Sequence, residues 1–140
     1  MSVLYDAVRH RASDHCEYCG VPQSAYDRAF HIEHILTEQH GGVTALHNLA
    51  LACVRCNLKK DPNIAGIDPV EGLLTRLFNP RTDDWAAHFA PKINDADARL
   101  EIVGLTAIGR TTVYVLGFNV DVRQRIRYEV WLTVGRYPPE

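Results

Sequence analysis

The sequence predicts an α+β fold, in which a small core of a β-hairpin and a helix is stapled by four cysteines and followed by a C-terminal extension of mixed α and β structure. Two C-x2-C pairs enclose a segment whose pattern indicates the order strand, loop, strand, helix. The chain has 140 residues, which is enough for one compact domain with a short extension. Apolar residues make up 46% and charged residues 23%, which excludes disordered and collagen-like chains.

The cysteines are Cys16, Cys19, Cys53 and Cys56, and 33 residues separate the two pairs. A C-x2-C turn, here termed a knuckle, directs two sulfurs to one point, so two knuckles supply four thiolates for a tetrahedral Zn²⁺. Two disulfides or four unrelated buried thiols are the alternatives. Disulfides need an oxidising compartment, and nothing in the sequence suggests export. We therefore expect one structural Zn²⁺ that stabilises the fold and takes no part in chemistry.

Five segments of the first 62 residues have recognisable patterns. Helical spacing of apolar residues predicts a helix over residues 3–14. Alternation of apolar and polar residues predicts a strand over residues 29–36, and the glycines that follow predict a loop at residues 38–42. A second strand is predicted over residues 47–52. A short helix should begin at the second knuckle and end at Asp61-Pro62.

The remaining residues carry weaker patterns. We expect a turn at residues 68–72, strands at 73–78 and 99–105, and a short helical or irregular piece from residue 82. Thr106 is expected to cap a helix that ends at Gly117, although the β-branched residues within it also suit a strand. Asn119 is expected to cap a last helix that places Val122, Ile126 and Val130 on one face.

The charge balance limits how the chain can contact other molecules. Fifteen basic and seventeen acidic residues give a net charge of -2, so any contact with nucleic acid must come from a local basic patch. No apolar run approaches the roughly 20 residues that span a bilayer. The N-terminal residues lack a signal-peptide core. We expect a soluble, cytoplasmic protein without a membrane partner.

A set of motifs in residues 14–60 resembles a known family. The motifs are Cys-Glu-Tyr-Cys-Gly, Phe-His-Ile-Glu-His-Ile, Gly-Gly, and Asn-Leu-Ala-Leu-Ala-Cys-x-x-Cys-Asn-x-x-Lys. Together they resemble an HNH endonuclease with zinc knuckles, of the ββα-metal nuclease class. The segment Gly-Leu-Thr-x-x-Gly-Arg and its neighbours also resemble the extension of some bacterial HNH proteins. The resemblance implies a core at residues 1–62 and an extension at 63–140 that packs on it.

The resemblance assigns roles to four residues of the hairpin and helix. His34 matches the general base, which takes a proton from water. Glu33 and Asn57 match the ligands of one catalytic cation, Mg²⁺ or Mn²⁺, and oxygen ligands without imidazole favour Mg²⁺. Asn48 matches the residue whose amide pins the loop and so orients His34. Glu33 stands where the family more often has Asp, and Asn57 where it often has His.

Other residues near these positions are less specific. Arg55, Lys59 and Lys60 form the one basic cluster beside the predicted site, so we expect them to contact phosphates, although a solvated helix face is the alternative. His31 lies on the same strand face as Glu33, and we expect it to be a surface or knuckle-packing residue, with contact to the cation or a phosphate as the alternative.

The resemblance implies a metal-dependent endonuclease that hydrolyses DNA and leaves 5′-phosphate and 3′-hydroxyl ends. One site cuts one strand, so a double-strand break requires a homodimer or successive nicks. RNA remains open as a substrate, although few base-stacking aromatic residues lie near the site. The alternative function is a non-catalytic zinc module that binds nucleic acid or protein.

Overall fold

The structure, a computed structural model, describes residues 2–139. Its helices are α1 (Ser2–Arg11), α2 (Val54–Lys60), α3 (Trp85–His88), α4 (Ala107–Val115) and α5 (Asp121–Val134). Its strands are β1 (His31–His34), β2 (Leu49–Ala52), β3 (Ala65–Ile67), β4 (Leu74–Arg76), β5 (Phe89–Asn94) and β6 (Arg99–Gly104). The strands form three separate antiparallel hairpins in chain order. This mixture of helices and small antiparallel sheets confirms the α+β class.

The first hairpin and its helix form the predicted ββα arrangement. Strand β1 pairs with β2 so that Glu33 lies opposite Ala50 and His34 opposite Leu49. Every residue of β2 is buried, as expected for a strand that is covered on both faces. A single residue, Cys53, separates β2 from helix α2 and is the N-cap of the helix. The Cys53 sulfur accepts a hydrogen bond from the backbone N–H of Cys56 and so stabilises the first turn of the helix.

Helix α1 holds the hairpin from the other side. It packs on β2, with Val8 fully buried. The guanidinium of Arg11 donates to the carbonyl of Leu49 at 2.6 Å, and the Tyr5 hydroxyl donates to the carbonyl of Phe30 at 2.6 Å. These bonds reach the backbone at the start of both strands and so fix the hairpin against the N-terminal helix.

The C-terminal extension is built around the β5–β6 hairpin, which packs on α4 and α5. Phe89 lies at the centre of an aromatic cluster, with ring centroids 5.2 Å from Phe78, 5.1 Å from Trp85 and 5.6 Å from Phe118. Buried residues of the extension and of the ββα segment belong to one continuous hydrophobic cluster. The boundary at residue 62 remains a prediction. Within residues 2–139, no helix has the length and apolar character that crossing a bilayer requires.

Two predicted helix caps have opposite outcomes. Thr106 does cap α4, because its hydroxyl accepts from the N–H of Gly109 at 3.0 Å, and the segment is a helix. The prediction for Asn119 is wrong, since α5 begins after Val120. The Asn119 amide instead accepts from the N–H of Ile102 and donates to its carbonyl, both at 2.9 Å. It therefore ties the loop before α5 to strand β6.

Candidate active site and metal centre

The four cysteines converge on one point in the protein interior. Their sulfurs all lie within 4.8 Å of one another, and Cys19 Sγ is 3.8 Å from Cys53 Sγ. Zn–S bonds of about 2.3 Å in a tetrahedron place the sulfurs about 3.8 Å apart. All four cysteines are buried, and none forms a disulfide. The cluster therefore fits a zinc ion, and the disulfide alternative does not hold in this structure.

The backbone of the first knuckle explains how two sulfurs reach one point. The N–H of Cys19 donates to Cys16 Sγ at 3.5 Å, and the N–H of Gly20 donates to the carbonyl of Cys16 at 2.9 Å. Gly20 has φ +84°, in the left-handed region that favours glycine. The second knuckle has the matching bond from Cys56 N–H to Cys53 Sγ. Both pairs thus present their sulfurs from tight turns.

Glu33 is buried between β1 and α2, with only 6% of its surface exposed. Successive side chains of a strand leave opposite faces, so Glu33 faces α2 while the neighbouring His34 faces away. Burial raises the pKa of the Glu33 carboxyl to about 7, and the nearby charge of Lys60 opposes this rise. The protein therefore holds this carboxyl in surroundings that favour its neutral form, which a nearby cation would reverse.

Lys60 lies beside Glu33 and not at the surface. It is 1% exposed, and its Nζ donates to the carbonyls of His34 at 3.0 Å and Ile35 at 2.8 Å. Its contact with Glu33 Oε1 is 3.4 Å. These partners bind the end of β1 to α2, so the expectation of a phosphate contact is wrong for Lys60. Arg55 and Lys59 are exposed on the same helix.

Asn48 closes the loop between the strands. Its Oδ1 accepts from the N–H of Leu36 at 2.9 Å, and its Nδ2 donates to the carbonyls of Leu36 at 2.8 Å and Val43 at 2.9 Å. Gly42 fits only without a side chain, because a Cβ there would lie 1.6 Å from the Leu36 carbonyl oxygen. The amide thus pins the loop that follows His34.

His34 is partly exposed, at 27% of its side-chain surface, and contacts two residues of this loop. Its Nε2 lies 2.8 Å from the Thr44 hydroxyl and 3.9 Å from a carboxylate oxygen of Glu38. Sequence reasoning missed both partners, because a loop of irregular structure offers no spacing rule that would find them. The Thr44 contact occupies Nε2, so Nδ1 is the ring nitrogen that remains to accept a proton.

The positions of Asn57 and His31 follow from the helix and the strand that carry them. Asn57 lies on α2, three residues before Lys60 and therefore on a neighbouring position of the same helix face. Because Lys60 reaches Glu33, this face is the one turned towards β1. His31 is exposed and lies opposite Ala52 in the ladder. Glu33 and Lys60 are thus in contact, Asn57 lies about one helical turn before Lys60 on α2, and His34 points to the other side of the strand.

The segment that contains these residues is similar to a known protein family. Residues 16–62, about a third of the chain, match the family model described as HNH endonuclease. No curated protein and no solved structure matches the chain. The matched segment contains both knuckles, the β1–β2 hairpin and α2. Residues 16–62 therefore form a domain of the HNH endonuclease family.

Proposed function

We propose that this chain is a metal-dependent endonuclease that hydrolyses phosphodiester bonds of DNA, with one strand cut at each site. The observation that supports it most is the placement of His34 directly after a buried carboxylate, at the mouth of a loop that Asn48 holds closed. Within a segment that matches the HNH endonuclease family, these residues supply a base and an acidic ligand. The products that the family implies are 5′-phosphate and 3′-hydroxyl ends.

His34 is the proposed general base. A neutral imidazole accepts a proton from the attacking water, and general-base catalysis typically contributes about 10²–10⁴-fold to the rate. The Thr44 hydroxyl at Nε2 orients the ring and leaves Nδ1 to receive the proton. Asn48 acts on His34 indirectly. Its amide fixes the backbone at Leu36 and Val43 and so holds the loop that carries Thr44.

Glu33 and Asn57 are the proposed ligands of the catalytic cation. Carboxylate and amide oxygens are hard donors of the kind that Mg²⁺ and Mn²⁺ prefer. The Lys60 contact of 3.4 Å is longer than a strong charged hydrogen bond of about 2.8 Å, so Lys60 leaves acceptor capacity on the carboxylate. When bound, such a cation polarises the phosphate and stabilises the negative charge of the transition state.

Arg55 and Lys59 are the proposed phosphate contacts of the DNA backbone. Both are exposed on α2, the helix that also carries Asn57. With a net charge of -2, the chain needs such a local patch to hold a polyanion. One site of this kind nicks one strand, so a double-strand break requires a homodimer or two successive nicks.

The test is nicking of supercoiled plasmid by zinc-loaded protein in Mg²⁺, with zinc content measured in every sample. Wild-type protein should nick, brief EDTA treatment should stop it, and added Mg²⁺ should restore it. His34→Ala should abolish nicking and keep its zinc, whereas His10→Ala, on an exposed face of α1, should nick like the wild type. A labelled RNA of the same sequence tests the other substrate.

Two results would contradict the proposal. If zinc-loaded wild-type protein binds the plasmid but fails to nick it with Mg²⁺ or Mn²⁺, the non-catalytic zinc module is the better description. If His34→Ala nicks at the wild-type rate, His34 is not the base, and the nuclease assignment loses its central residue.

A further inference from the structure

A buried arginine of the C-terminal helix contacts the cysteine cluster. Arg123 of α5 is 3% exposed, and its Nη2 lies 2.9 Å from Cys56 Sγ and 3.8 Å from Cys53 Sγ. Its Nη1 donates to the carbonyl of Leu116 at 2.6 Å, and its guanidinium carbon lies 5.5 Å from the centre of the Phe118 ring. The guanidinium is thus fixed in direct contact with the second knuckle.

The charge of Arg123 needs a counter-charge. Its described partners are backbone carbonyls, the two sulfurs and an aromatic ring, and none of these is a carboxylate. An ionised group buried without an opposite charge is strongly unfavourable. Four neutral thiols would leave that cost in place. One Zn²⁺ with four thiolates carries a net charge of about -2, so a zinc-loaded cluster supplies the missing counter-charge.

The C-terminal segment also holds the first knuckle. Tyr137 is buried, and its hydroxyl donates to the carbonyl of Cys19 at 2.7 Å, across 118 residues of sequence. Gly20 lies so close to Pro138 that an added Cβ would be 3.0 Å from the proline ring. One continuous stretch of chain therefore contacts both knuckles, the second through Arg123 and the first through Tyr137. The Tyr137 contact does not depend on the charge of Arg123.

We propose that Arg123 and Tyr137 are part of the zinc centre, and that the segment from α5 to Tyr137 serves to retain the metal. Arg123 donates a hydrogen bond to the Cys56 thiolate and compensates part of its charge. Tyr137 holds the backbone of the first knuckle in the conformation that presents Cys16 and Cys19. Both residues act through the cysteines and are positioning residues, and the inference does not depend on nuclease activity.

The expected consequence is slow loss of zinc. A thiolate that accepts a hydrogen bond from a guanidinium has less charge available for a proton or an electrophile, so it leaves the metal more slowly. Partners of metal ligands of this kind typically change metal affinity about 10–100-fold when they are mutated. The rate of zinc release and the reactivity of Cys56 are therefore the quantities to measure, and neither requires catalysis.

The experiment uses full-length, zinc-loaded protein mixed with an excess of a chromogenic zinc chelator. Arg123→Met should release zinc about 10–100-fold faster than the wild type, and Arg123→Lys should fall between them. Arg125→Met is the matched control, since Arg125 lies on the same helix with 61% of its side chain exposed. It should release zinc at the wild-type rate.

A second measurement covers the case in which Arg123→Met fails to fold. Tyr137→Phe keeps the buried ring and removes only the hydroxyl, and it should also release zinc faster than the wild type. Limiting N-ethylmaleimide followed by peptide mapping should show Cys56 as the first cysteine modified in Arg123→Lys. Wild-type release rates in both Arg123→Lys and Tyr137→Phe would overturn the proposal, as would equal rates for Arg123→Met and Arg125→Met.

Discussion

Lys60 Nζ lies 3.4 Å from Glu33 Oε1, and both side chains are buried where α2 meets β1. The same ammonium donates to two carbonyls at the end of β1. A lysine in this position belongs to the packing of helix on hairpin, whereas Lys59, one residue earlier, faces solvent. The two neighbouring lysines should therefore respond to mutation in different ways.

Lys60→Met should destabilise the protein. The substitution keeps much of the buried hydrocarbon but leaves two carbonyls and the Glu33 carboxyl without their donor. Removing one partner of a buried pair costs about 3–5 kcal/mol in unfolding free energy. Lys59→Met is the matched control, and an exposed substitution should change stability by less than about 0.5 kcal/mol. Urea unfolding at constant zinc measures both, and equal midpoints for the two variants would contradict the buried role of Lys60.

Lys59→Ala and Arg55→Ala should weaken DNA binding without changing stability. Each phosphate contact releases about one counterion, so each variant should lower the slope of log affinity against log salt by about 1. Anisotropy titrations in the His34→Ala background measure binding without cleavage. The Mg²⁺ midpoint for nicking should stay at its wild-type value in Lys59→Ala and Arg55→Ala. A shifted Mg²⁺ midpoint with an unchanged salt slope would place these residues near the cation and away from the phosphates.

Glu33→Gln should raise the Mg²⁺ concentration needed for half-maximal nicking. The amide has nearly the same shape as the carboxylate but lacks the only formal negative charge proposed among the cation ligands. Asn57→Asp adds a charge at the second ligand position and should keep or lower the midpoint. Nicking is measured over a range of Mg²⁺ at fixed salt. If Glu33→Gln titrates like the wild type, Glu33 is not a ligand, and the proposed cation position is misplaced.

Thr44→Val should slow nicking, because it removes the hydroxyl at His34 Nε2 and keeps the shape of the side chain. Loss of one hydrogen bond is worth about 1 kcal/mol, which corresponds to a roughly five- to tenfold lower kcat. Thr44→Ser retains the hydroxyl and should restore most of the rate. The single-turnover rate at saturating Mg²⁺ separates this effect from metal binding. Equal rates for the valine and serine variants would remove Thr44 from the mechanism.

The features that the sequence predicts well depend on local rules. C-x2-C spacing predicts that each cysteine pair directs its two sulfurs to one point, because a short turn fixes the direction of both. Thr106 is predicted as a cap because its hydroxyl needs only the N–H three residues later. Both rules involve neighbours in sequence, and at these positions no contact with a distant segment overrides them.

The features that the sequence does not predict depend on contacts between distant segments. Alternation along β1 marks Glu33 as polar, but α2 covers that face and buries it with Lys60. Asn119 has the right identity for a cap, yet its amide finds a backbone partner on β6, 17 residues away in sequence. Arg123 reaches Cys56 across 67 residues. Such partners are set by packing, which a single sequence does not display.

Zinc removal should unfold the ββα segment, whereas Mg²⁺ removal should only stop catalysis. Structural zinc in small domains contributes an apparent binding free energy of about 10–16 kcal/mol. The free energy of unfolding of a whole domain is about 5–15 kcal/mol. Without zinc, the chain therefore has too little folding free energy to keep the hairpin between the two knuckles folded. Native mass spectrometry should find one Zn²⁺ per chain, and Cys16→Ser should lose zinc, solubility and thermal stability.

The two metals are then separated by order of addition. After brief EDTA treatment that leaves zinc bound, Mg²⁺ alone should restore nicking. After prolonged treatment with a strong zinc chelator, Mg²⁺ alone should fail, and refolding with Zn²⁺ before Mg²⁺ should succeed. Circular dichroism should follow the zinc and not the Mg²⁺, because the cluster of four cysteines joins both ends of the hairpin segment. Stable native protein with four freely alkylatable thiols would show that the cluster does not hold zinc.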